Sequence, residues 1–557
     1  MTSARVARFA VPVVALGLIA TGCSDNSITP GIVDIGSTND INPKDRSELR
    51  DGGNLRLAIT NFPENFNYLH IDGTTDTTAT VINPTMPSPW VSNAAGELTV
   101  DHNYFTDITL TNTSPQQVTY TINPKAVWSD GSPITWEDLR SEAAALSTKD
   151  PGFLISSPSG FDRVEKVERG EDDRQAIVTF NKPYAEWQGQ FSPLYPKSVT
   201  ATPDAFSNAD HDTLPVSSGP FMVTGIDRAQ NRITLGRNPK WWGDTPKLDT
   251  ITLSVLDNSA VLPGIQNNEI DYAYMSGIEN VTGARNSKNV VVRRTPEPSW
   301  SHLTFNGGKG ALLEDPQLRI AISKAIDRQA LVTAAQNGVV ENPTPLNNHI
   351  YMKGQKGYQD NSAPIAYDPA EAARMLDALG WKLNGDVREK DGRKLELRDV
   401  MYQQEAWVQT AQIVQQNLAK VGVKLTIQTV PGQGLFKDVI DPGNFDIAQF
   451  SWGGSVLPLG VLQQVYTYDP NNPNSQLGNK ARIGSPELNA LIEQTIAELD
   501  PAKAIELANK CDQMIFAEGY SVPLHQASGT YAVRDNLANY GAFGLASPDY
   551  TKVGFLK

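Results

Sequence analysis

The sequence predicts a mixed α/β protein, and three observations carry that reading. Between about residue 52 and residue 300, short runs alternate apolar with polar residues, the period of half-buried strands. Beyond residue 310 the apolar residues recur every three or four positions, the period of helices facing a core. Strand-like runs then reappear among those helices, as in a mixed α/β domain.

In chain order, "NLRLAIT" places Leu55, Leu57 and Ile59 on one face of a strand. "QVTYTIN", "QAIVTFN", "NRITLGRN", "DTITLSVLD" and "NVVVRR" repeat the pattern, separated by loops rich in Pro and Gly. Asp315-Pro316 is a cap followed by a proline at the first helical position, and Leu318, Ala321, Ile322, Ala325 and Ile326 make one apolar face before Gly338. Asp368-Pro369, Ser485-Pro486 and Asp500-Pro501 open three more helices in the same way, and Gly380 and Gly519 fall where helices stop. "VKLTIQTV" and "FDIAQFSW" are strands among them. No repeat with a period of 20 to 50 residues is visible.

A chain of 557 residues has room for three or four domains, and 39% apolar content supports sizeable cores. Arg5 and Arg8 are the only charges in the first 22 residues, and Phe9 to Ala20 is mostly apolar, too short for the roughly 20 residues that span a bilayer. A charged start, a short apolar core and small residues before a cut site describe an export signal over residues 1–22. Ala20-Thr21-Gly22-Cys23 resembles a bacterial lipobox, with Ala20 where such boxes usually carry Leu. In those signals the cysteine is acylated and becomes the new N-terminus. The alternative is an ordinary signal peptide, or a single anchor helix, with a chance cysteine. Without the signal, two of 47 basic residues are lost and no acid, leaving 45 against 62, a net charge of −17. That balance argues against nucleic acid and against docking on anionic lipid. Residues 23–51, rich in Ser, Thr, Asn and Asp, read as a flexible tether.

The search for catalytic chemistry returns negatives. G-x-S-x-G, H-E-x-x-H, C-x-x-C and a phosphate loop of the G-x-x-x-x-G-K type are all missing, and no cofactor or metal motif stands in their place. Six histidines lie at 70, 102, 211, 302, 349 and 525, none at helical ligand spacing, and each reads as a hydrogen-bonded structural residue. Asp172-Asp173 reads as solvated surface. Cys511 shares a helix face with Ala504, Leu507, Ala508, Met514 and Ile515 and reads as a buried structural thiol. With Cys23 modified it has no partner for a disulfide. What remains is aromatic residues in polar, glycine-rich settings: Trp241 and Trp242 in "KWWGD", Trp300 and Phe305 in "EPSWSHLTFN", and Trp452 in "FSWGGSVLPL". Tryptophan suits ligand pockets and cores alike, and the core reading is preferred for the first pair.

Four segments, in order, resemble the family 5 extracytoplasmic solute-binding proteins, the oligopeptide and dipeptide receptors of ABC importers. They are "AVWSDGSPITWEDL" (126–139), "SSGPFMVTGIDRAQNRITLGRNPKWWGDTPKLDTITL" (217–253), "LTFNGGKGALLEDPQLRIAISKAIDRQALV" (303–332) and "YDPAEAARMLDALGW" (367–381). Within that family the chain is most similar to the oligopeptide-binding lipoproteins of actinobacteria. The motif residues themselves read as structural: Asp130-Gly131 as a tight turn, Arg319 and Asp327-Arg328 as ion-pairing residues on the polar side of a helix.

The resemblance implies an α/β, two-lobed periplasmic-binding-protein fold of type II, in the large peptide-binding subclass, with a small extra domain. Lobe I would combine 52–85, 195–300 and 508–557, the small domain would be 86–194, and lobe III 301–507. It further implies hinge closure on an oligopeptide held by main-chain hydrogen bonds at strand edges, delivery to a membrane permease, no enzyme activity, and a monomer held to the outer face of the cell membrane through Cys23 alone. Carried over to this chain, one ligand edge is "NFPENFNYLH", with Phe66 and Asn67. Trp300 lies at a crossing between lobes. The other edge is Trp452, Gly453, Gly454 and Ser455. Peptide receptors of the family place an aspartate shortly after that tryptophan to pair with the ligand's ammonium, whereas here no acid precedes Asp469. Glu64 and Glu405 are candidates to replace it. Two other uses stay open: the same fold as an envelope glycolipid assembly or regulatory factor, and an extracellular hydrolase for which nothing beyond the cleft speaks.

Overall fold

Asn54–Ile59 forms a strand whose Leu55, Leu57 and Ile59 point into one core while Arg56 and Ala58 lie on the opposite face, Ala58 against a second core. In the computed structural model, which describes residues 38–158, 160–431, 434–469 and 478–557, this strand pairs in parallel with Thr250–Val255 on one side and with Tyr272–Tyr274 on the other. The full sheet has seven strands, in the order Val290–Arg294, Thr530–Arg534, Tyr272–Tyr274, Asn54–Ile59, Thr250–Val255, Arg232–Arg237, Phe221–Asp227. Helices Asn258–Gln266 and Ile278–Arg285 cover one face through Ile265, Val281 and Ala284. The other face shares its core with a four-stranded antiparallel sheet, Phe105–Thr113, Gln116–Ile122, Gln175–Phe180 and Val164–Arg169. Leu57, Phe66, Tyr120, Val178 and Phe221 are buried in one continuous cluster, so the segment expected as a separate domain at 86–194 has no core of its own.

The second lobe is built on a five-stranded sheet in the order Lys424–Val430, Glu396–Tyr402, Ile447–Gly453, Ser299–Phe305, Ser521–Gln526. The last of these corrects the expected boundaries. Ser521–Gln526 pairs with Ser299–Phe305, and helix Pro501–Ala517 packs on Pro486–Ala497, so the chain returns to the first lobe only after residue 526, not at 508. The capping signals are seated as expected: Asp315, Asp368, Ser485 and Asp500 accept hydrogen bonds from backbone N–H groups of the first turns they open.

Two further expectations give way. The face from Leu318 to Gly338 is two helices, Pro316–Lys324 and Arg328–Gln336, because Asp327 turns from helix interior to cap and accepts from Ala330 N–H. Arg319, 3% exposed, forms no ion pair among the described residues; it donates to the carbonyls of Leu313, Glu314, Glu518 and Gly519, closing the end of a helix at its other side. Arg328 likewise donates to the Leu346 and Pro523 carbonyls. The second expectation is the tether. From Asp40 onward that segment is packed: Asp40 bridges to Ala542, Leu49 is buried and bridges to Leu556, and Arg46 donates to the Thr245 carbonyl. The charged and polar composition is real, but the first lobe supplies partners for it. Cys23 and the export signal lie outside the described residues.

Cys511 is fully buried beside the Thr495 hydroxyl at 3.4 Å, and burial pushes its thiol up to about 11. Gly131 takes the positive φ that its turn needs, +91°, with Asp130 accepting from Ser132 N–H at 2.8 Å. Trp241 and Trp242 stand half-buried, each indole N–H on a carbonyl, Asp244 and Asn103 respectively.

Candidate ligand crevice

In an open α/β sheet the ligand crevice lies at the carboxyl ends of the parallel strands. Here Ile59, Val255 and Tyr274 share that end, and beside it the chain crosses twice between lobes, outward through 295–298 and back through 527–529. The crossings are hydrogen-bonded to each other: Thr295 N–H donates to Gly529 O at 3.2 Å, Glu297 N–H to Ala527 O at 3.2 Å, and Ala527 N–H to Ser299 O at 2.8 Å. Gly529 is required there. It has φ +55°, and a Cβ would stand 1.8 Å from the Thr295 carbonyl oxygen.

The second lobe brings a row of aromatic rings to this end, of which only Trp452 is not fully buried. Trp300 pairs with Trp452 and His302 with Phe450, so the period of two puts all four rings on one face. Trp452 lies parallel to His302 with centroids 6.0 Å apart and meets Phe450 edge-on at 5.2 Å. Trp300 is 3% exposed, packed with Leu346, Met352 and Leu545, whereas Trp452 is half-buried. Burial holds the His302 ring well below the usual imidazole range, so it is neutral here. Beyond Trp452 the backbone opens. Gly453, Gly454 and Ser455 are exposed, and a Cβ on Gly454 would stand 2.1 Å from the Pro298 carbonyl oxygen, so this segment touches the outward crossing. Ser455 spends its hydroxyl on Leu457, donating to the carbonyl at 2.8 Å and accepting from the N–H at 3.0 Å.

The first lobe contributes a cluster that the sequence reading missed. Tyr531 stacks on Tyr272 at 4.7 Å, meets Tyr274 edge-on at 5.5 Å, and donates its hydroxyl to the Glu297 carboxylate. Burial, with the charge of Asp76 second, pushes Glu297 up to about 7. The one local sign was "TPEPSW", an acid held between two prolines directly before a strand.

Of the residues expected at the ligand, the structure brings Trp300, Trp452, Gly453, Gly454 and Ser455 together beside the crossings. Phe66 and Asn67 are corrected: both are fully buried inside the first lobe, Phe66 O accepting from Tyr195 hydroxyl at 2.7 Å and Asn67 Nδ2 donating to Phe206 O at 2.8 Å. Glu64 is exposed on its loop, and Glu405 begins helix Glu405–Ala419 and accepts from Gln409 at 2.9 Å. A separate groove of about 650 Å³, lined by Ile278, Asp327, Ala330 and Thr333 among others, shares no residue with the crevice. Among the described residues no group of three or more His, Cys, Asp or Glu is placed to hold a metal ion, and no helix is long and apolar enough to cross a membrane.

Two sheets joined by paired crossings, with the carboxyl ends of one set of parallel strands and the exposed backbone after Trp452 both beside those crossings, give the chain a bilobed architecture. The chain belongs to the bacterial extracellular solute-binding proteins of family 5, whose middle-segment model matches residues 106–474. It is 50% identical over 552 residues, 97% of its own length and 92% of the relative's, to the oligopeptide-binding protein OppA of Mycobacterium tuberculosis. Its fold superposes on a periplasmic EDTA-binding protein, EppA, with a TM-score of 0.85 at 24% identity, covering 94% of this chain and 99% of that one. It also superposes on the oligopeptide-binding protein AppA of Bacillus subtilis in complex with a nonapeptide, with a TM-score of 0.78 at 20% identity over 91% and 100% of the two chains. The fold is therefore the type II two-lobed periplasmic-binding-protein fold.

Proposed function

We propose that this protein captures oligopeptides outside the membrane, in the crevice between its lobes, and delivers them to the permease of an ABC importer. The observation that carries the reading is the exposed backbone of Gly453 and Gly454 after half-buried Trp452, lying against the outward crossing at Pro298. Exposed backbone binds an extended peptide without reading its side chains, and the half-buried Trp452 ring adds contact area at low entropic cost. The extensive identity to a mycobacterial oligopeptide-binding protein supports the peptide as ligand. The protein acts as a binder and not an enzyme, as a monomer, anchored through lipid on Cys23.

Titration of the mature chain with a peptide library, followed by tryptophan fluorescence and melting temperature, tests the ligand. Binding of a subset of peptides with a raised melting temperature is expected. Indifference to every peptide, or peptides recovered cleaved, sinks the reading, and binding of envelope glycolipid in their place favours the assembly-factor use. Anchoring is tested by Cys23→Ser, which should move the protein from membrane to medium.

A further inference from the structure

Glu297 stands between Pro296 and Pro298 at the outward crossing. Its backbone is held on both sides, N–H on Ala527 O at 3.2 Å and carbonyl accepting from Gln526 Nε2 at 3.0 Å. The origin of the side chain is therefore fixed. The carboxylate accepts from Tyr531, whose ring lies between Tyr272 and Tyr274, and Tyr274 is 47% exposed. The exposed Tyr274 ring thus stands beside Tyr531, whose hydroxyl is bound to the half-buried Glu297 carboxylate.

Enclosed carboxylates are ordinarily balanced by a cation or by several N–H donors, because desolvation is costly otherwise. Among the described residues Glu297 has neither: its side-chain hydrogen-bond partner is a neutral phenol, and the charge acting on it is that of Asp76, another acid. Among the described residues no cation is placed to balance it. It also adjoins the segment where an ammonium-binding acid was expected and is missing, since Gly454 lies against the carbonyl of Pro298, the residue next to Glu297.

We propose that Glu297, bordered by Tyr274 and Tyr531, receives an alkylammonium group of the bound peptide, its terminal amine or a lysine side chain. The inference rests on the peptide-receptor reading. An ammonium donates charge-assisted hydrogen bonds to the carboxylate, and its remaining surface meets tyrosine faces, which attract cations within about 6 Å. The acid reaches the ligand from the crossing strand and not from the strand end after Trp452.

The test titrates the mature chain with four matched peptides: free amine without lysine, the same N-acetylated, N-acetylated with one lysine, and N-acetylated with norleucine in its place. The wild type should bind at least one ammonium-bearing peptide about tenfold or more tighter than its neutral match, and which pair differs identifies the ammonium. Glu297→Gln should reduce that preference to within about twofold while neutral peptides bind as before. Tyr274→Leu, at an exposed position that leaves folding intact, should reduce it about threefold. A wild type without preference, a preference that survives Glu297→Gln, or one unmoved by Tyr274→Leu overturns the inference and leaves the peptide reading standing. Failure of all four peptides to bind overturns both.

Discussion

At the scale of single residues, the buried acids show what the interior costs. Asp399 sits mid-sheet in Glu396–Tyr402, fully buried, with Gln449 Nε2 donating to one oxygen and nothing to the other. Burial raises it to about 8 from the ordinary 3.8. The folded state therefore holds a proton that the unfolded chain has already released between those pH values, so this residue's contribution to stability falls as pH rises through that window. Asp399→Asn should be more stable than wild type at pH 8 by a few kcal/mol and much closer to it at pH 5, read from urea midpoints. A difference that does not change with pH would contradict this. The His349–Asp512 pair is a second case. Both are fully buried, Nδ1 and Oδ1 are 2.7 Å apart, and Asn361 donates to the other Asp512 oxygen at 2.7 Å. Asp512→Leu strands these donors, and a loss of roughly 3 to 5 kcal/mol is expected by chemical denaturation.

At the scale of elements, hydrogen bonds to backbone ends decide which segments meet. Glu186, 7% exposed in the segment after the four-stranded sheet, accepts from Leu459 N–H at 2.7 Å and Gly460 N–H at 2.6 Å, so one carboxylate satisfies the start of a helical turn in the other lobe. Ala185 N–H adds a bond to Ile496 O at 2.8 Å, and Arg163 pairs with Glu493. Glu186→Ala leaves two buried donors unpaired and should cost about 2 to 4 kcal/mol, Glu186→Gln about half of that. Hydrogen exchange at the Leu459 and Gly460 amides should quicken in both variants, and unchanged protection there would refute the assignment.

At the scale of the whole molecule, the two crossings are held in register by backbone hydrogen bonds, and Gly529 lies hard against Thr295. Gly529→Ala combines a positive φ with a Cβ 1.8 Å from Thr295 O, so the crossings have to part. A loss of about 2 to 4 kcal/mol is expected, together with a smaller change in radius of gyration on peptide binding than the wild type shows by solution scattering. A variant that melts and contracts like the wild type would show that the crossings do not set the lobes' relation.

The sequence by itself determined what is local. Alternation announced six strands, and Asp315, Asp368, Ser485 and Asp500 announced helix starts, because caps and periodicity are written within a few residues. The pairing of Trp300 with Trp452 was not legible, because only "FDIAQFSW" read as a strand and the partner lies about 150 residues away. Tertiary structure alone decided the rest. Ser521–Gln526 joined the second lobe, Phe66 and Asn67 were drawn into the first lobe's core, and Arg319 found carbonyls in place of carboxylates. Glu297 meets Tyr531 across 234 positions of sequence, a contact that exists only because two sheets and two crossings bring the strands into register. Local composition carries the cost of burying a carboxylate; only long-range pairing decides which carboxylate is buried and what is left to neutralise it.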